Sequence, residues 1–193
     1  MSEKNKKTKN HDIDKEALRL EYLFEKGVNF SDRIVQITGD IEEGYFDFID
    51  AALSELERVS KKSITIRIHS GGGSVYEALA MVGRIKNSKC QIVTECYGHA
   101  MSAASLILAA GSKRRMSRYS YFMTHEASYG LSCSHSHINE EVAQMEREEQ
   151  MWCTWMEELS ERSAQFWYQQ CEKRNLYLSA NECLEFGIID EIF

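Results

Sequence analysis

Hydrophobic and polar positions follow two different periods along this chain of 193 residues. Alternating runs rich in β-branched residues predict strands, and apolar residues that recur every three or four positions predict helices. The predicted strands are 33–38, 63–68, 91–96, 116–124 and 188–193. The predicted helices are 44–60, 75–85, 102–110, 138–170 and 179–186. Because strands and helices take turns along the chain, the pattern favours an α/β fold with a largely parallel sheet and right-handed crossovers.

The same pattern predicts one domain over 13–193 and shows no internal repeat or interdomain linker. Residues 1–12 are polar and rich in lysine, and we expect them to form a mobile basic tail. A weak helical pattern follows over 13–30, and Gly27 is the predicted end of this helix. The helix over 102–110 consists of small and apolar residues, so we expect it to be buried.

Composition excludes several classes of protein. The formal net charge is −7, and an acidic chain without a basic stripe is a poor nucleic-acid binder. No apolar run reaches the 18 residues of a membrane span, and the opening residues lack the apolar run of a signal peptide. The six cysteines form no CxxC pair, which indicates reduced thiols in a cytoplasmic protein. We therefore expect no nucleic acid, membrane, metal or cofactor.

Two glycine-containing turns could carry chemistry. Residues 70–74 read Ser-Gly-Gly-Gly-Ser after a predicted strand, which suits a backbone whose N–H groups face a ligand. An ordinary tight turn is the alternative. The second turn places Ser102 at a helix N-terminus among small residues, where an exposed nucleophile could use the free N–H groups to stabilise an oxyanion. A plain helix N-cap is the alternative for Ser102.

His125 favours the catalytic interpretation because it ends a predicted strand, from which its side chain can project. Serine, histidine and a polar orienting group form the machinery of acyl transfer. No aspartate lies between His125 and the closing strand, so an aspartate in the third role would come from the early chain or from Asp190.

The order of motifs resembles the Clp protease proteolytic subunit (ClpP) family of serine peptidases, which is related to the crotonase fold. The resemblance covers about 31–193. The matching motifs are Ile37-Thr38-Gly39, Ile68-His69-Ser70-Gly71-Gly72-Gly73-Ser74-Val75, Gly98-His99-Ala100-Met101-Ser102, Ala109-Ala110-Gly111, Phe122-Met123-Thr124-His125, Leu178-Ser179-Ala180-Asn181-Glu182 and Phe186-Gly187-Ile188-Ile189-Asp190-Glu191-Ile192.

The resemblance implies repeated β-β-α units, a largely parallel sheet and a long handle helix at about 138–170. It also implies that Ser102 is the nucleophile, that His125 is the general base, and that Gly73 and Ala103 supply the oxyanion hole. The family has an aspartate as its third catalytic residue, and Asn175 stands at the matching position.

The resemblance further implies that an extended substrate lies as an added strand between two backbone segments. The expected substrate-binding residues are Gly72, Ser74, Ser128, Tyr129 and Gly130.

The resemblance implies an assembly and a class of substrate. We expect a serine endopeptidase that cleaves unfolded or extended polypeptides inside stacked heptameric rings, with an AAA+ unfoldase as a partner. A weakly active or inactive ring subunit that assembles with an active paralogue is the alternative, because Asn175 replaces the aspartate. A viral capsid-maturation protease of the same fold is a further alternative.

Two other features have simpler interpretations. His135 and His137 could ligate a metal, but no third ligand is close in sequence, which favours a solvated loop. The tryptophans Trp152, Trp155 and Trp167 could be ordinary core, although an apolar stripe with Met145 and Met156 indicates a surface that needs a partner. Glu149 interrupts that stripe.

Overall fold

A computed structural model describes residues 25, 27–128, 130 and 134–193. In these parts of the chain, eight strands form one sheet. The strands are β1 (Val28–Asn29), β2 (Ile34–Ile41), β3 (Ile64–Gly73), β4 (Ile92–Met101), β5 (Lys113–Met116), β6 (Tyr121–His125), β7 (Asn175–Ser179) and β8 (Glu191–Ile192). Their order is β1-β2-β3-β4-β5-β8, and β6 joins β4 to β7. Among these strands, β1 pairs with β2 and β7 pairs with β6 in antiparallel fashion, and every other pair is parallel. The predicted α/β fold with a largely parallel sheet is therefore confirmed.

Helices connect these strands. The described helices are α1 (Tyr45–Val59), α2 (Val75–Lys86), α3 (Ala103–Ala110), α4 (Ile138–Leu159), α5 (Ala164–Cys171) and α6 (Ala180–Glu185), and a 3-10 helix (His135–His137) precedes α4. All eight residues of α3 are buried, as the sequence predicts. This apolar helix gives the residue before it a rigid support.

The alternation in β3 explains how the sheet divides the molecule. Ile64, Ile66 and Ile68 are fully buried, whereas Arg67 and His69 lie on the opposite, more accessible face. The buried face is covered by helices, since the hydrophobic core includes residues of both α1 and α3.

Strand β4 is long enough to pair with two different neighbours on the same side. Its first part pairs with β5 and its last three residues pair with β6, both in parallel. Chain segments that follow β4 and β6 therefore leave the sheet at neighbouring positions. Ser102 is the first residue after β4, and His125 is the last residue of β6.

The predicted strands have different bounds in the structure. Strands β2 and β4 continue to Ile41 and Met101, beyond their predicted ends at 38 and 96. The strand predicted at 116–124 is two strands, because Ser117–Ser120 form a turn in which the Ser120 N–H donates to the Ser117 carbonyl at 2.9 Å. Strand β3 continues through the predicted glycine turn, since Gly72 and Gly73 still pair with β2. The strand predicted at 188–193 is confined to β8. Strand β7 was not predicted at all.

The helix predicted over 138–170 is two helices, α4 and α5. Ser160 ends α4 in an extended conformation and its hydroxyl donates to the Met156 carbonyl. Ser163 then caps α5 by accepting the Phe166 N–H at 3.2 Å. These two serines end one helix and begin the next, within the segment that was predicted as a single helix.

The predicted tail at 1–12 and the weak helical pattern up to residue 24 lie outside the described residues. Gly27, the predicted end of that helix, is followed directly by Val28 and Asn29, which form a strand that pairs with β2.

The apolar stripe on α4 belongs partly to the core of this chain. Met156 and Trp167 are fully buried, and the Trp152 ring packs edge-to-face on Trp167 with centroids 6.2 Å apart. The interpretation as an exposed stripe is therefore wrong for Met156 and Trp167. Accessible apolar side chains on α4 do exist, and they include Ile138, Val142 and Met151.

Candidate active site

Ser102 sits between β4 and α3 in a strained backbone conformation. Its φ is 51° and its ψ is −125°, a region that residues other than glycine rarely adopt. The Ser102 N–H donates to the Met123 carbonyl at 2.8 Å, and its own carbonyl accepts the Ser105 N–H at 2.9 Å. Although Ser102 occupies the N-cap position, its side chain makes no capping hydrogen bond. Its hydroxyl is therefore available for another partner.

That partner is His125, at the end of β6. The His125 Nε2 atom lies 2.9 Å from the Ser102 Oγ atom, which is hydrogen-bond distance. Ser102 directly follows β4 and His125 is the last residue of β6, and these two strands pair with Met101 opposite Met123. When the serine hydroxyl donates to Nε2, the ring proton resides on Nδ1.

Asn175 lies directly opposite His125 in the antiparallel pair of β6 and β7. Directly opposed residues of such a pair project their side chains to the same face, with Cβ atoms about 4.5–5.5 Å apart. The Asn175 side chain is exposed. Among the described residues, however, the Nδ1 atom of His125 has no hydrogen bond to Asn175 or to any carboxylate. The third position is thus adjacent to the imidazole and not bonded to it.

The glycines at the end of β3 approach the serine closely. A Cβ atom at Gly72 would lie 2.7 Å from the Ser102 Cβ and 2.9 Å from the Ala103 nitrogen, which is too close for any side chain. Gly73 has a φ of 141°, and a Cβ there would collide with the Ile41 carbonyl at 2.3 Å. The Ser70 hydroxyl accepts the Gly72 N–H at 3.1 Å and donates to the Gly39 carbonyl at 2.6 Å, which fastens the segment.

Ala103 is the first residue of α3, so its N–H has no acceptor within the helix. This N–H lies beside Gly72, at the positive end of the helix dipole. An oxyanion formed near Ser102 would therefore meet backbone dipoles that are already oriented.

The other predicted substrate-binding residues are Ser74, Ser128, Tyr129 and Gly130. Ser74 caps α2 through its hydroxyl, so its backbone rather than its side chain would contact a substrate. Ser128 and Gly130 follow β6 and are exposed. Tyr129 lies outside the described residues.

A cavity adjoins the Ser102 and His125 side chains, and sequence analysis did not predict its lining. Apolar side chains from α2, α3 and α4 form its walls, namely Val75, Tyr76, Leu79, Leu106, Trp152 and Trp155. Glu148 and Glu149 also line it. The one sequence signal for this cavity was Glu149, which interrupts the apolar stripe of α4.

Two cysteines that line the cavity are unsuited to nucleophilic attack. Burial raises the pKa of the Cys153 thiol to about 12 and that of Cys171 to about 11. Since the thiolate is the reactive form, both side chains remain neutral thiols at neutral pH. The serine is therefore the better placed nucleophile in this cleft.

His135 and His137 are exposed in the 3-10 helix, and the Ser134 hydroxyl lies 2.8 Å from the His137 Nδ1 atom. Within the described parts of the chain, no group of three or more His, Cys, Asp or Glu side chains could hold a metal ion. None of the described helices combines the length and apolar character that crossing a membrane requires.

Comparison with known proteins agrees with this fold. The family model described as Clp protease matches residues 24–193. Subunit 3 of the ATP-dependent Clp protease proteolytic component from Synechococcus sp. (strain CC9605) is 32% identical over 168 residues, covering 83% of this chain and 82% of the relative. Subunit 1 from Corynebacterium glutamicum is 30% identical, covering 85% and 80%, and subunit 2 from Chlamydia pneumoniae is 29% identical, covering 83% and 80%. The chain belongs to the Clp protease family.

Proposed function

We propose that this chain is a serine endopeptidase that hydrolyses peptide bonds of unfolded or extended polypeptides. The carrying observation is the 2.9 Å contact between the His125 Nε2 and the hydroxyl of Ser102, which holds a strained backbone at a helix N-terminus. The membership of this chain in the Clp protease family supports a peptidase. The contact between Ser102 and His125 supports the serine mechanism.

In the proposed reaction the Ser102 oxygen attacks the substrate carbonyl while His125 accepts the hydroxyl proton. The N–H groups of Gly73 and Ala103 stabilise the tetrahedral oxyanion, an effect worth about 3–4 kcal/mol per donor in comparable sites. His125 then gives the proton to the leaving amine, and an acyl-enzyme remains. A water molecule, deprotonated by His125, releases the acid and restores Ser102.

The substrate would bind as an extended strand between 72–74 and 128–130. Backbone hydrogen bonds give such binding little dependence on sequence, whereas pockets for alternate side chains provide selectivity. Only a locally unfolded polypeptide can adopt this conformation. Folded proteins would therefore need prior unfolding, which suits an AAA+ unfoldase as partner, and the relatives are named as ATP-dependent.

The proposal includes assembly into stacked heptameric rings. Val142 and Met151 on α4 are each 43% exposed and provide apolar surface for contact with further copies. The relatives are named as subunits, which supports an oligomer.

Hydrolysis of a short fluorogenic peptide by the purified chain tests the proposed reaction. We expect turnover that Ser102→Ala and His125→Ala each reduce by about 10³-fold or more, while circular dichroism and assembly stay unchanged. Full activity in either variant would contradict the assignment.

The second candidate function is a weakly active or silent subunit that assembles with an active paralogue. The unbonded Asn175 favours it, because an amide supplies no negative charge to the imidazole. In that case the purified chain alone would neither hydrolyse peptides nor react with serine-directed probes, and it would co-purify with the active relative.

A further inference from the structure

The cavity beside Ser102 and His125 combines an apolar wall with carboxylates. Leu79 and Leu106 line it from α2 and α3, and Trp152 and Trp155 line it from α4. Such a wall suits a long aliphatic chain. Since Ser102, Ala103 and His125 also line the cavity, it lies where the side chain of the residue being attacked would project.

Three carboxylates line this cavity, and the two on α4 differ in their hydrogen bonding. Glu148 accepts a hydrogen bond from the Tyr76 hydroxyl at 2.8 Å and another from Gln144 at 3.0 Å. Glu149 is half-buried, and no side chain of the described residues forms a hydrogen bond or ion pair with it. A partly desolvated carboxylate without a cation is unfavourable unless a ligand supplies the positive charge.

The charges around Glu149 make its ionised form still less favourable in the absence of a cation. Burial raises the pKa of Glu149 above its usual value, and nearby negative charges raise it further; they belong to Glu126, Glu172 and Glu146. Glu126 directly follows His125 and also lines the cavity. The cleft therefore carries a negative potential next to the reacting groups.

We propose that this cavity receives an arginine or lysine side chain of the substrate, so that the peptidase cleaves preferentially after basic residues. The aliphatic stem packs against the leucines, the cationic end meets Glu149, and the tryptophan faces add cation–π attraction. This inference rests on the proposed function and names the substrate class of the same site.

Reaction rates with two peptidyl diphenyl phosphonates, which phosphonylate active serines with loss of phenol, test the proposal without requiring full turnover. The two probes differ only in an arginine or a leucine at the position before the reactive phosphorus. We expect the arginine probe to modify Ser102 at least about tenfold faster, the size of a hydrogen bond to a charged group. Glu149→Gln should remove that advantage, so that the two probes modify Ser102 at similar rates.

Glu157→Gln is the matched control, because Glu157 lies on the same helix, is exposed and does not line the cavity. It should keep the wild-type preference. Equal or faster labelling by the leucine probe in the wild-type protein would overturn the inference while leaving the proposed function intact, and so would a preference that survives Glu149→Gln. Failure of both probes to label Ser102 would overturn the proposed function and the inference together.

A measurement on the wild-type chain alone covers the case in which Glu149→Gln does not fold. Mass spectrometry of the fragments from an unfolded carrier protein should show most cuts after arginine or lysine. Cuts concentrated after apolar residues would overturn the inference.

Discussion

Ser102 holds a backbone conformation that costs about 1–3 kcal/mol for a residue other than glycine. Hydrogen bonds at both of its peptide groups maintain this conformation, and the buried Ser105 hydroxyl adds a further bond to the Ser102 carbonyl at 2.6 Å. The surrounding fold thus enforces the geometry that points the hydroxyl toward His125. A serine that served only as an N-cap would instead use its side chain to bind the helix N–H groups.

Replacement of Asn175 by aspartate should raise peptidase activity. A carboxylate opposite His125 would accept the Nδ1–H and stabilise the imidazolium that forms during attack. Loss of the aspartate in a serine protease costs about 10⁴ in turnover, so we expect Asn175→Asp to increase kcat at least about tenfold near neutral pH. The Michaelis constant should change less, because the charge acts mainly in the transition state. Steady-state kinetics with a short peptide measure both.

Asn175→Ala is the companion variant for this prediction. If neither Asn175→Asp nor Asn175→Ala changes turnover, Asn175 is not the orienting residue and the site works as a serine–histidine dyad.

Gly72→Ala should abolish activity without unfolding the protein. The added methyl group would lie 2.6 Å from the Met101 carbonyl and 2.7 Å from the Ser102 Cβ, so the serine must shift. Displacement of a reacting group by about 1 Å costs on the order of 10² in rate. Gly83→Ala is the control, because that glycine lies within α2 and has nothing within 4 Å of a new Cβ. The prediction fails if Gly72→Ala retains wild-type turnover.

At the residue scale, the sequence identified Ser102 and His125 because each follows a predicted strand with a recognisable motif. Asn175 was found only through the family resemblance, since no strand was predicted at that position. The cavity lining was missed because the face that a helix turns toward the sheet depends on tertiary packing. For the same reason Glu149 looked like a defect in an apolar stripe.

At the element scale, patterning located the strands and helices well where β-branched or apolar residues dominate. It failed at Ser117–Ser120 and at 160–163, where serine hydroxyls and backbone hydrogen bonds make the turns. The chain contains no proline, so these breaks lacked the usual sequence marker. Strand β3 extends beyond its β-branched part because pairing with β2 continues through the glycines.

Glu57 joins α1 to α2 and should make the protein sensitive to acid. Burial opposes the ionised form of this carboxylate, but hydrogen bonds from Arg84, Ser88 and the Lys89 N–H lower its pKa from 4.5 to about 2. Because the folded pKa is the lower one, the stabilisation is present above about pH 4.5 and is lost as the pH falls toward 2. It amounts to about 3 kcal/mol in the free energy of unfolding.

Urea denaturation at several pH values measures this contribution. Glu57→Gln should destabilise the protein at pH 7, and the difference from the wild type should shrink between pH 5 and pH 3. Glu55→Gln is the control on the same helix, since Glu55 pairs with exposed Arg58 at the surface. A wild-type advantage that is constant with pH would contradict the role of Glu57.

At the scale of the whole molecule, the exposed apolar side chains of α4 predict self-association. A chain of 22.3 kDa should elute as a larger assembly at micromolar concentration when its mass is measured by light scattering. Val142→Asp should lower that mass, because it places a charge on the contact surface. Val59→Asp is the matched control at a valine that is 67% exposed at the end of α1. A wild-type monomer would contradict the assembly.

The most direct test of the account is identification of the residue that a fluorophosphonate probe modifies. The probe reacts with a serine only when a base activates the hydroxyl and an oxyanion site accepts the phosphoryl oxygen. Peptide mapping of the labelled wild-type chain should place the single adduct on Ser102, and His125→Ala should suppress it. An adduct on Ser105, or none at high probe concentration, would contradict the catalytic assignment.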